Sequence, residues 1–303
     1  YQFRFLDNVS LKGVSQPVPI YELRAQSRKQ NVSEVLQKHA QTMVFGRQKE
    51  RDYLAQQLEV LRNRGNLPPI FIQGEAGIGK SRLVADLVEI AAAGATPCWF
   101  GSGDAIEKST PYHAWRSIFT QFFELDGLSE QSNADESEDG RQRTISYLAE
   151  ADSSLIPVAP LLNIVLPFQF PDNEIASQLA GEMRANQIRN LCVSLFKHAT
   201  VKTPYLLVME DAHWLDSASW GLLQIVSRDV PSLLTVIAMR PPNEPVQPDL
   251  AQLLARPNVQ TLALESMPAS EIETLICYRL NVATLPSDVS QFIHERAEGN
   301  PFF

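Results

Sequence analysis

Cysteine is scarce in this chain, with three residues in 303. Cys98, Cys192 and Cys277 are widely spaced and form no C-x-x-C pair, so neither a disulfide framework nor a zinc site is indicated. Long apolar runs are also lacking: none reaches the roughly 18 residues of a membrane-spanning helix, and no signal peptide is visible. We therefore expect a cytoplasmic protein with no membrane contact.

Positive charge is in deficit as well. The 26 lysines and arginines are outnumbered by 35 acidic residues, which gives a net charge of -9. This balance argues against a broad nucleic-acid-binding face and against binding to an anionic membrane surface. The chain begins at Tyr1 rather than methionine and stops at Phe303, and we expect it to be a fragment of a longer protein.

What the sequence does contain is a glycine-rich turn between an apolar run and an apolar-periodic segment. Residues 70–73 are followed by G-E-A-G-I-G-K-S at residues 74–81, and apolar residues then recur at helical spacing over 83–90. Every fixed position of the phosphate-loop pattern G-x-x-x-x-G-K-[ST] is matched. The competing interpretation is an ordinary glycine turn before a helix, and the complete match favours a nucleotide site.

The residue types in this turn suit polyphosphate chemistry. Its glycines allow a tight turn that points backbone N–H groups inward, and the following helix adds the positive end of its dipole. Lys80 supplies a mobile charge for the β- and γ-phosphates, and Ser81 supplies a hydroxyl for Mg²⁺. We predict that ATP or ADP binds here with Mg²⁺. The predicted contacts are Gly74, Glu75, Ala76, Gly77, Ile78, Gly79, Lys80 and Ser81.

A second apolar run, residues 205–209, ends in the two carboxylates Glu210 and Asp211. Such a run is typical of a strand buried on both faces, and its end brings the acids to the carboxyl edge of the sheet, where ligands bind. One carboxylate is predicted to hold Mg²⁺ together with Ser81, and the other to orient or deprotonate the attacking water. By position Glu210 is the metal residue and Asp211 the base, but the reverse assignment stays open.

Two polar residues shortly after these acids are interpreted as structural. Asp216 is predicted to cap the next helix, over residues 217–226, and His213 to hydrogen-bond locally. A further buried strand is predicted over residues 233–239, and it ends in Arg240. On its position alone, Arg240 could be an ordinary surface arginine at a strand end; a second interpretation follows from the resemblance described next.

The order of these motifs over residues 44–303 resembles the STAND and AAA-type ATPases. Gly46 and Arg47, upstream of the phosphate loop, look like the adenine-side motif of that group. Gly299 and Pro301 resemble its lid motif that contacts bound ADP or ATP, and Arg240 is similar to its sensor residue, which reaches the γ-phosphate. The resemblance implies nucleotide contacts from Gly46, Arg47 and Pro301, and a catalytic set of Lys80, Glu210, Asp211 and Arg240.

The amino-terminal residues 1–23 read as β-structure. Residues 11–14 (L-K-G-V) and 17–23 (P-V-P-I-Y-E-L) resemble the last strands of class III adenylate/guanylate cyclase catalytic domains. The resemblance implies that Lys12 lies near a substrate triphosphate, and that the partners of this region are an upstream cyclase-like domain and further carboxyl-terminal domains. The metal-binding aspartates of that family are absent, so a stray hairpin with a surface lysine is the alternative.

Alternating strand and helix signals predict an α/β fold, with a doubly wound, mainly parallel five-stranded P-loop NTPase sheet. The expected domains are cyclase-like strands (1–23), a linker (24–42), the ATPase domain (43–265) and the start of a small helical lid (266–303). Local signals predict a helix start at Thr110 and Pro111, an exposed acidic loop over residues 127–140, and a capping box from Ser270 to Glu273.

Three functions compete at this point. The first is a slowly hydrolysing regulatory ATPase switch attached to a nucleotide cyclase, with nucleotide-dependent self-association. The second is the same switch in a LuxR-type DNA-binding regulator, which would need a helix-turn-helix beyond Phe303. The third is a scaffold that binds nucleotide without hydrolysis. The acids Glu210 and Asp211 disfavour the scaffold, and the cyclase-like residues 11–23 disfavour the regulator.

Overall fold

The structure is a computed structural model that describes residues 2–9, 18–24, 44–65, 67–125, 128, 134–242 and 246–302. The chain divides into two compact units, residues 1–30 and 31–303. In the first unit, strands β1 (Gln2–Val9) and β2 (Val18–Arg24) pair antiparallel. The expected β-structure is thus present in the described part of residues 1–23. Lys12 and most of the expected linker lie outside the described residues.

The second unit is built on a five-stranded parallel sheet. Its strands are β3 (Ile70–Gln73), β4 (Cys98–Ser102), β5 (Tyr205–Glu210), β6 (Leu233–Met239) and β7 (Gln260–Ala263). Their spatial order is β4-β5-β6-β3-β7. The predicted α/β class and the predicted number of strands are confirmed, and the sheet is parallel throughout.

Helices connect these strands. In chain order they are α1 (Gln48–Arg62), α2 (Lys80–Ala93), α3 (His113–Phe122), α4 (Ala134–Asp152), α5 (Glu174–Gln178), α6 (Gly181–Lys202), α7 (Ser217–Asp229), α8 (Pro248–Leu254), α9 (Ala269–Leu280) and α10 (Ser287–Ala297). Two 3₁₀ segments add Ser153–Ile164 and Ala212–Trp214. In the described residues, no helix has the length and apolar character needed to cross a membrane.

The sheet is covered on both faces, as the doubly wound prediction requires. Along β5, Leu206 and Val208 enter one apolar cluster with α1 and α2, whereas Leu207 and Met209 enter the other with α3, α6 and α7. Because successive side chains of a strand point to opposite faces, a continuous apolar run serves both layers. All four side chains are fully buried.

The strand order adds what the sequence analysis did not specify. Strand β6 lies between β3, which leads into the phosphate loop, and β5, which carries the acids. Hydrophobic patterns identify buried strands without setting their order. The sheet edge therefore presents the ends of β3, β6 and β5 in succession.

Three local predictions were wrong. Helix α3 begins at His113 after Tyr112 in a left-handed conformation, rather than at a Thr110 cap. Residues 134–140 of the expected acidic loop belong to α4. Helix α9 begins at Ala269 after Pro268 without a side-chain cap, and Met267 and Ile272 at this end are buried in an apolar cluster.

The last two helices and the segment before α1 share a small apolar cluster. It contains the buried Met267, Ile272 and Ala297, with Phe45, Ile276 and Ile293 packed against it. The ring of Phe45 also lies 5.1 Å from that of Tyr278. The residues just ahead of Gly46 are therefore fixed against the helices of the predicted lid.

Candidate functional site

The phosphate loop leaves β3 and enters α2 through two left-handed glycines. Gly77 has φ +80° and Gly79 has φ +104°, conformations that side chains with a Cβ rarely adopt. A Cβ built on Gly79 would meet no atom within 4 Å, so the space beside this glycine at the amino end of α2 is open. Backbone turns of this kind collect N–H groups into a site for anions.

Lys80 is folded onto this loop. Its Nζ donates to the carbonyl oxygens of Gly74 and Glu75, each at 2.8 Å. Burial lowers the pKa of Lys80, and Asp211 opposes that shift while Arg240 adds to it. Glu210 also acts on the same group. The acids after β5 and the arginine after β6 therefore lie within electrostatic reach of the loop lysine.

Glu210 and Asp211 have unequal surroundings. Glu210 is 7% exposed, and its carbonyl accepts a hydrogen bond from Gly103 N at 2.9 Å. Asp211 is exposed and has φ +46°, and its carbonyl accepts from Trp214 N at 2.9 Å. A left-handed aspartate at a strand end is strained, and such strain clusters at functional sites. The two carboxylates are thus presented differently to the same edge of the sheet.

His213, which the sequence analysis interpreted as structural, lies in the turn after the acids without the hydrogen bond predicted for it. The predicted local hydrogen bond is absent: both ring nitrogens are buried and have no hydrogen-bond partner in the described part of the chain. Burial lowers the pKa of His213, and Asp211, Arg240 and Lys80 all act on it. Its ring lies 4.9 Å from that of Trp214. Burial thus favours the neutral form of an imidazole that lies in the turn after Asp211; the signal for it in the sequence was its spacing two residues after that acid.

Asp216 behaves as predicted. Its carboxylate accepts hydrogen bonds from Ser219 N at 2.9 Å and from Ser219 Oγ at 2.5 Å, which caps α7. The cap fixes where α7 begins and hence where the turn of residues 211–216 ends.

Gly46 and Arg47 lie where the phosphate loop meets the start of the predicted lid. Gly46 has φ +64°, and a Cβ there would lie 2.0 Å from Glu271 Oε2. The buried Arg47 donates to Ile78 O at 3.2 Å and to Glu265 O at 2.6 Å. Arg47 therefore joins the loop to the residues after β7. The adenine contact of both residues stays a prediction.

The Gly299–Pro301 turn also reaches the phosphate loop, through the residue between them. Asn300 Nδ2 donates to Ala76 O at 2.9 Å, and Pro301 is half-buried beside it. Asn300 was not among the predicted contacts; its place inside a glycine–proline turn was the only signal.

A magnesium nucleotide fits the residues present. In the described ranges no three histidine, cysteine or acidic side chains cluster as a metal site. A nucleotide-bound Mg²⁺ does not need such a cluster, because phosphates and water supply most of its ligands. The hydroxyl of Ser81 and the carboxylates of Glu210 and Asp211 are the hard oxygen donors that Mg²⁺ prefers.

A parallel α/β sheet with a phosphate loop after one strand and acids after another defines a P-loop nucleoside triphosphatase fold. The profile of the AAA ATPase domain family matches residues 43–238, more than half of the chain. The chain belongs to the AAA ATPase domain family.

Curated relatives are similar over the whole chain but are much longer. Adenylate cyclase type 10 of Rattus norvegicus is 20% identical over 306 residues, which cover 100% of this chain and 18% of the relative. The protein of the same name from Homo sapiens has the same identity and coverage. The chain therefore spans under a fifth of these relatives.

Solved structures with some likeness include Cdc6p from Pyrobaculum aerophilum, at 15% identity and a TM-score of 0.47, covering 85% of this chain and 57% of that one. Another is a signal transduction ATPase with numerous domains (STAND) from Pyrococcus horikoshii, which has a tetratricopeptide repeat sensor. It is 14% identical, with a TM-score of 0.38, and the match covers 81% of this chain and 28% of that one.

Proposed function

We propose that this chain is an ATP-binding, slowly hydrolysing regulatory switch module. The observation that carries the proposal is the strand order β5-β6-β3, which brings Glu210 and Asp211, Arg240, and the glycine loop with Lys80 to the same edge of the parallel sheet. Membership of the AAA ATPase domain family supports the same activity.

Each group has a role in this proposal. Backbone N–H groups of the loop and the Lys80 ammonium bind the phosphates, and the ammonium leaves the Gly74 and Glu75 carbonyls to do so. Ser81 and Glu210 would hold Mg²⁺, which supplies charge neutralisation when bound. The exposed carboxylate of Asp211 orients or deprotonates the attacking water, and Arg240 neutralises charge developing on the γ-phosphate. The adenine end of the nucleotide would be contacted by Gly46, Arg47 and Pro301.

The parent protein is proposed to be a class III adenylate/guanylate cyclase of the cytoplasm. The support is the cyclase-like residues 11–23 and the similarity to adenylate cyclase type 10 over 100% of this chain. In this proposal ATP binding orders the sheet edge and the predicted lid, and hydrolysis releases them. The change between the two states is the signal passed to the adjoining domains or to a second copy of the chain.

Two substitutions separate binding from turnover. Lys80→Ala removes the phosphate-binding ammonium and is expected to raise the Kd for ATP by about a hundredfold or more. Asp211→Ala is expected to keep ATP binding and lower the hydrolysis rate by about two to four orders of magnitude. Isothermal titration and single-turnover hydrolysis measure the two effects.

Lys202→Ala is the matched control, because Lys202 lies exposed at the end of α6. It should bind and hydrolyse ATP like the parent chain. If Lys80→Ala and Asp211→Ala also behave like the parent, the site is misplaced and the proposal is wrong.

A further inference from the structure

The turn after α10 lies against the tip of the phosphate loop. The carboxamide of Asn300 is fixed at both ends: Nδ2 donates to Ala76 O at 2.9 Å, and Oδ1 accepts from Phe302 N at 3.0 Å. Since a carboxamide has a donor end and an acceptor end, these two bonds together define which way it points. The donor end faces the loop.

The turn itself is held rigidly. Glu298 and Gly299 are both left-handed, at φ +47° and +82°. Gly299 O accepts from Met267 N at 2.7 Å, and Asn300 N donates to Ala297 O at 2.7 Å. A Cβ on Gly299 would lie 2.6 Å from Ser266 Cβ. Asn300 is therefore presented to the loop by a turn clamped between the start of the predicted lid and the end of α10.

The bond to Ala76 O acts on the next peptide group. In a trans peptide the C=O and the following N–H point in opposite directions, so holding Ala76 O against Asn300 turns the N–H of Gly77 away from the lid turn. The contact is close, because a Cβ on Gly77 would lie 2.8 Å from Asn300 Oδ1 and 2.6 Å from Phe302 Cβ.

Lys80 and Asn300 together hold three successive carbonyls of the loop. Lys80 donates hydrogen bonds to the carbonyl oxygens of Gly74 and Glu75, and Asn300 donates one to the carbonyl oxygen of Ala76. When the ammonium of Lys80 moves to a phosphate, the bond from Asn300 to Ala76 O does not have to break, because Lys80 takes no part in it.

We propose that Asn300 is a positioning residue for polyphosphate binding: it orients the Ala76–Gly77 peptide so that the Gly77 N–H serves as a phosphate donor. The inference rests on the proposed nucleotide site.

The test compares ligands that do and do not engage the loop. Asn300→Ala is expected to weaken the binding of ATP, ADP and tripolyphosphate by about ten- to a hundredfold, the range for losing one hydrogen bond from Gly77 N–H to a charged phosphate. Adenosine, measured by ligand-observed NMR, should bind unchanged. Gln291→Ala, which removes an exposed amide of α10 that bonds to Glu295, is the matched control and should leave all four ligands unaffected.

A second variant tests the inference in case Asn300→Ala fails to fold. Asn300→Asp keeps the acceptor for Phe302 N but removes the donor to Ala76 O, and thermal melting verifies that both variants fold. Its added charge repels phosphate, so its binding is measured at about 0.5 M salt, where repulsion between exposed charges is screened. The loss should persist there.

Four results overturn the inference. They are parent-like polyphosphate binding by Asn300→Ala, equal loss of adenosine binding, a loss in Asn300→Asp that vanishes at high salt, and a loss in the Gln291→Ala control. Failure of the parent chain to bind ATP would instead remove the nucleotide site, and this inference with it.

Discussion

At the scale of single residues, the polar side chains of the site differ in how far their hydrogen bonds are satisfied. Lys80, Arg47 and Asn300 all donate to carbonyl oxygens of the loop or its neighbours. His213 differs, since neither ring nitrogen has a hydrogen-bond partner within the described ranges. Burying a polar group without a partner costs free energy, so the imidazole of His213 is expected to lower the stability of the chain.

His213→Leu should therefore separate stability from activity. We expect the free energy of unfolding without nucleotide to stay equal or rise by about 1 kcal/mol, because an unsatisfied polar group is replaced by an apolar one. The ATP hydrolysis rate should fall at least about tenfold, since sites that need unpaired polar groups trade stability for activity. Urea unfolding and single-turnover hydrolysis measure the two quantities.

The matched control for this variant is His198→Leu, because His198 packs edge-on against Tyr147 in the α4–α6 region rather than at the sheet edge. It should hydrolyse ATP at the parent rate. A His213→Leu variant that is strongly destabilised and fully active would contradict the prediction.

At the scale of elements, the end of β4 supports the turn that carries the acids. Gly103 donates to Glu210 O, and a Cβ on Gly103 would lie 2.4 Å from Asp211 O and 3.1 Å from Trp214 Cβ. Because a backbone atom cannot step aside as a side chain can, any larger residue there must push the turn of residues 211–214. The packing of one strand end thus sets the position of the proposed base.

Gly103→Ala is expected to lower the free energy of unfolding by about 1–3 kcal/mol through overpacking. It should lower the hydrolysis rate more than the affinity for ATP, because it displaces Asp211 and leaves the phosphate loop in place. Chemical denaturation, titration calorimetry and hydrolysis assays measure the three effects.

Gly221→Ala is the corresponding control, since a Cβ there would meet only Arg189 and Asp249, at an ordinary contact distance of 3.9 Å. Within α7 the added methyl should stabilise the chain by about 0.5–1 kcal/mol and leave hydrolysis unchanged. Equal hydrolysis by the two glycine variants would show that the β4 end does not position Asp211.

At the scale of the whole molecule, the phosphate loop is connected to distant parts of the second unit. Arg47 joins it to the residues after β7, and Asn300 joins it to the end of α10. A ligand in the loop should therefore stabilise the entire unit 31–303 rather than one loop.

ATP with Mg²⁺ is expected to raise the melting temperature of the chain. At about one hundred times Kd a ligand adds about 2.7 kcal/mol, which corresponds to roughly 5 °C for a chain of this size. Removing Mg²⁺ with a chelator should reduce the shift, because the acids then face the phosphates without a cation. Scanning fluorimetry with and without chelator measures this, and an unchanged melting temperature at saturating ATP·Mg²⁺ would refute it.

The sequence alone determined the parts that depend on local pattern. The strand, loop and helix over residues 70–90, the buried run before Glu210, and the Asp216 cap all follow from residue type and spacing. These signals are local because backbone turns, caps and two-sided burial are decided within a few residues.

Tertiary structure decided what meets at the site. The place of β6 between β3 and β5, the approach of Asn300 to Ala76, and the unsatisfied ring of His213 depend on contacts between residues far apart in the chain. A continuous apolar run shows that a strand is buried on both faces without naming its neighbours. A single side-chain hydrogen bond across more than two hundred positions, as between Asn300 and Ala76, leaves no local pattern, so only the folded chain reveals it.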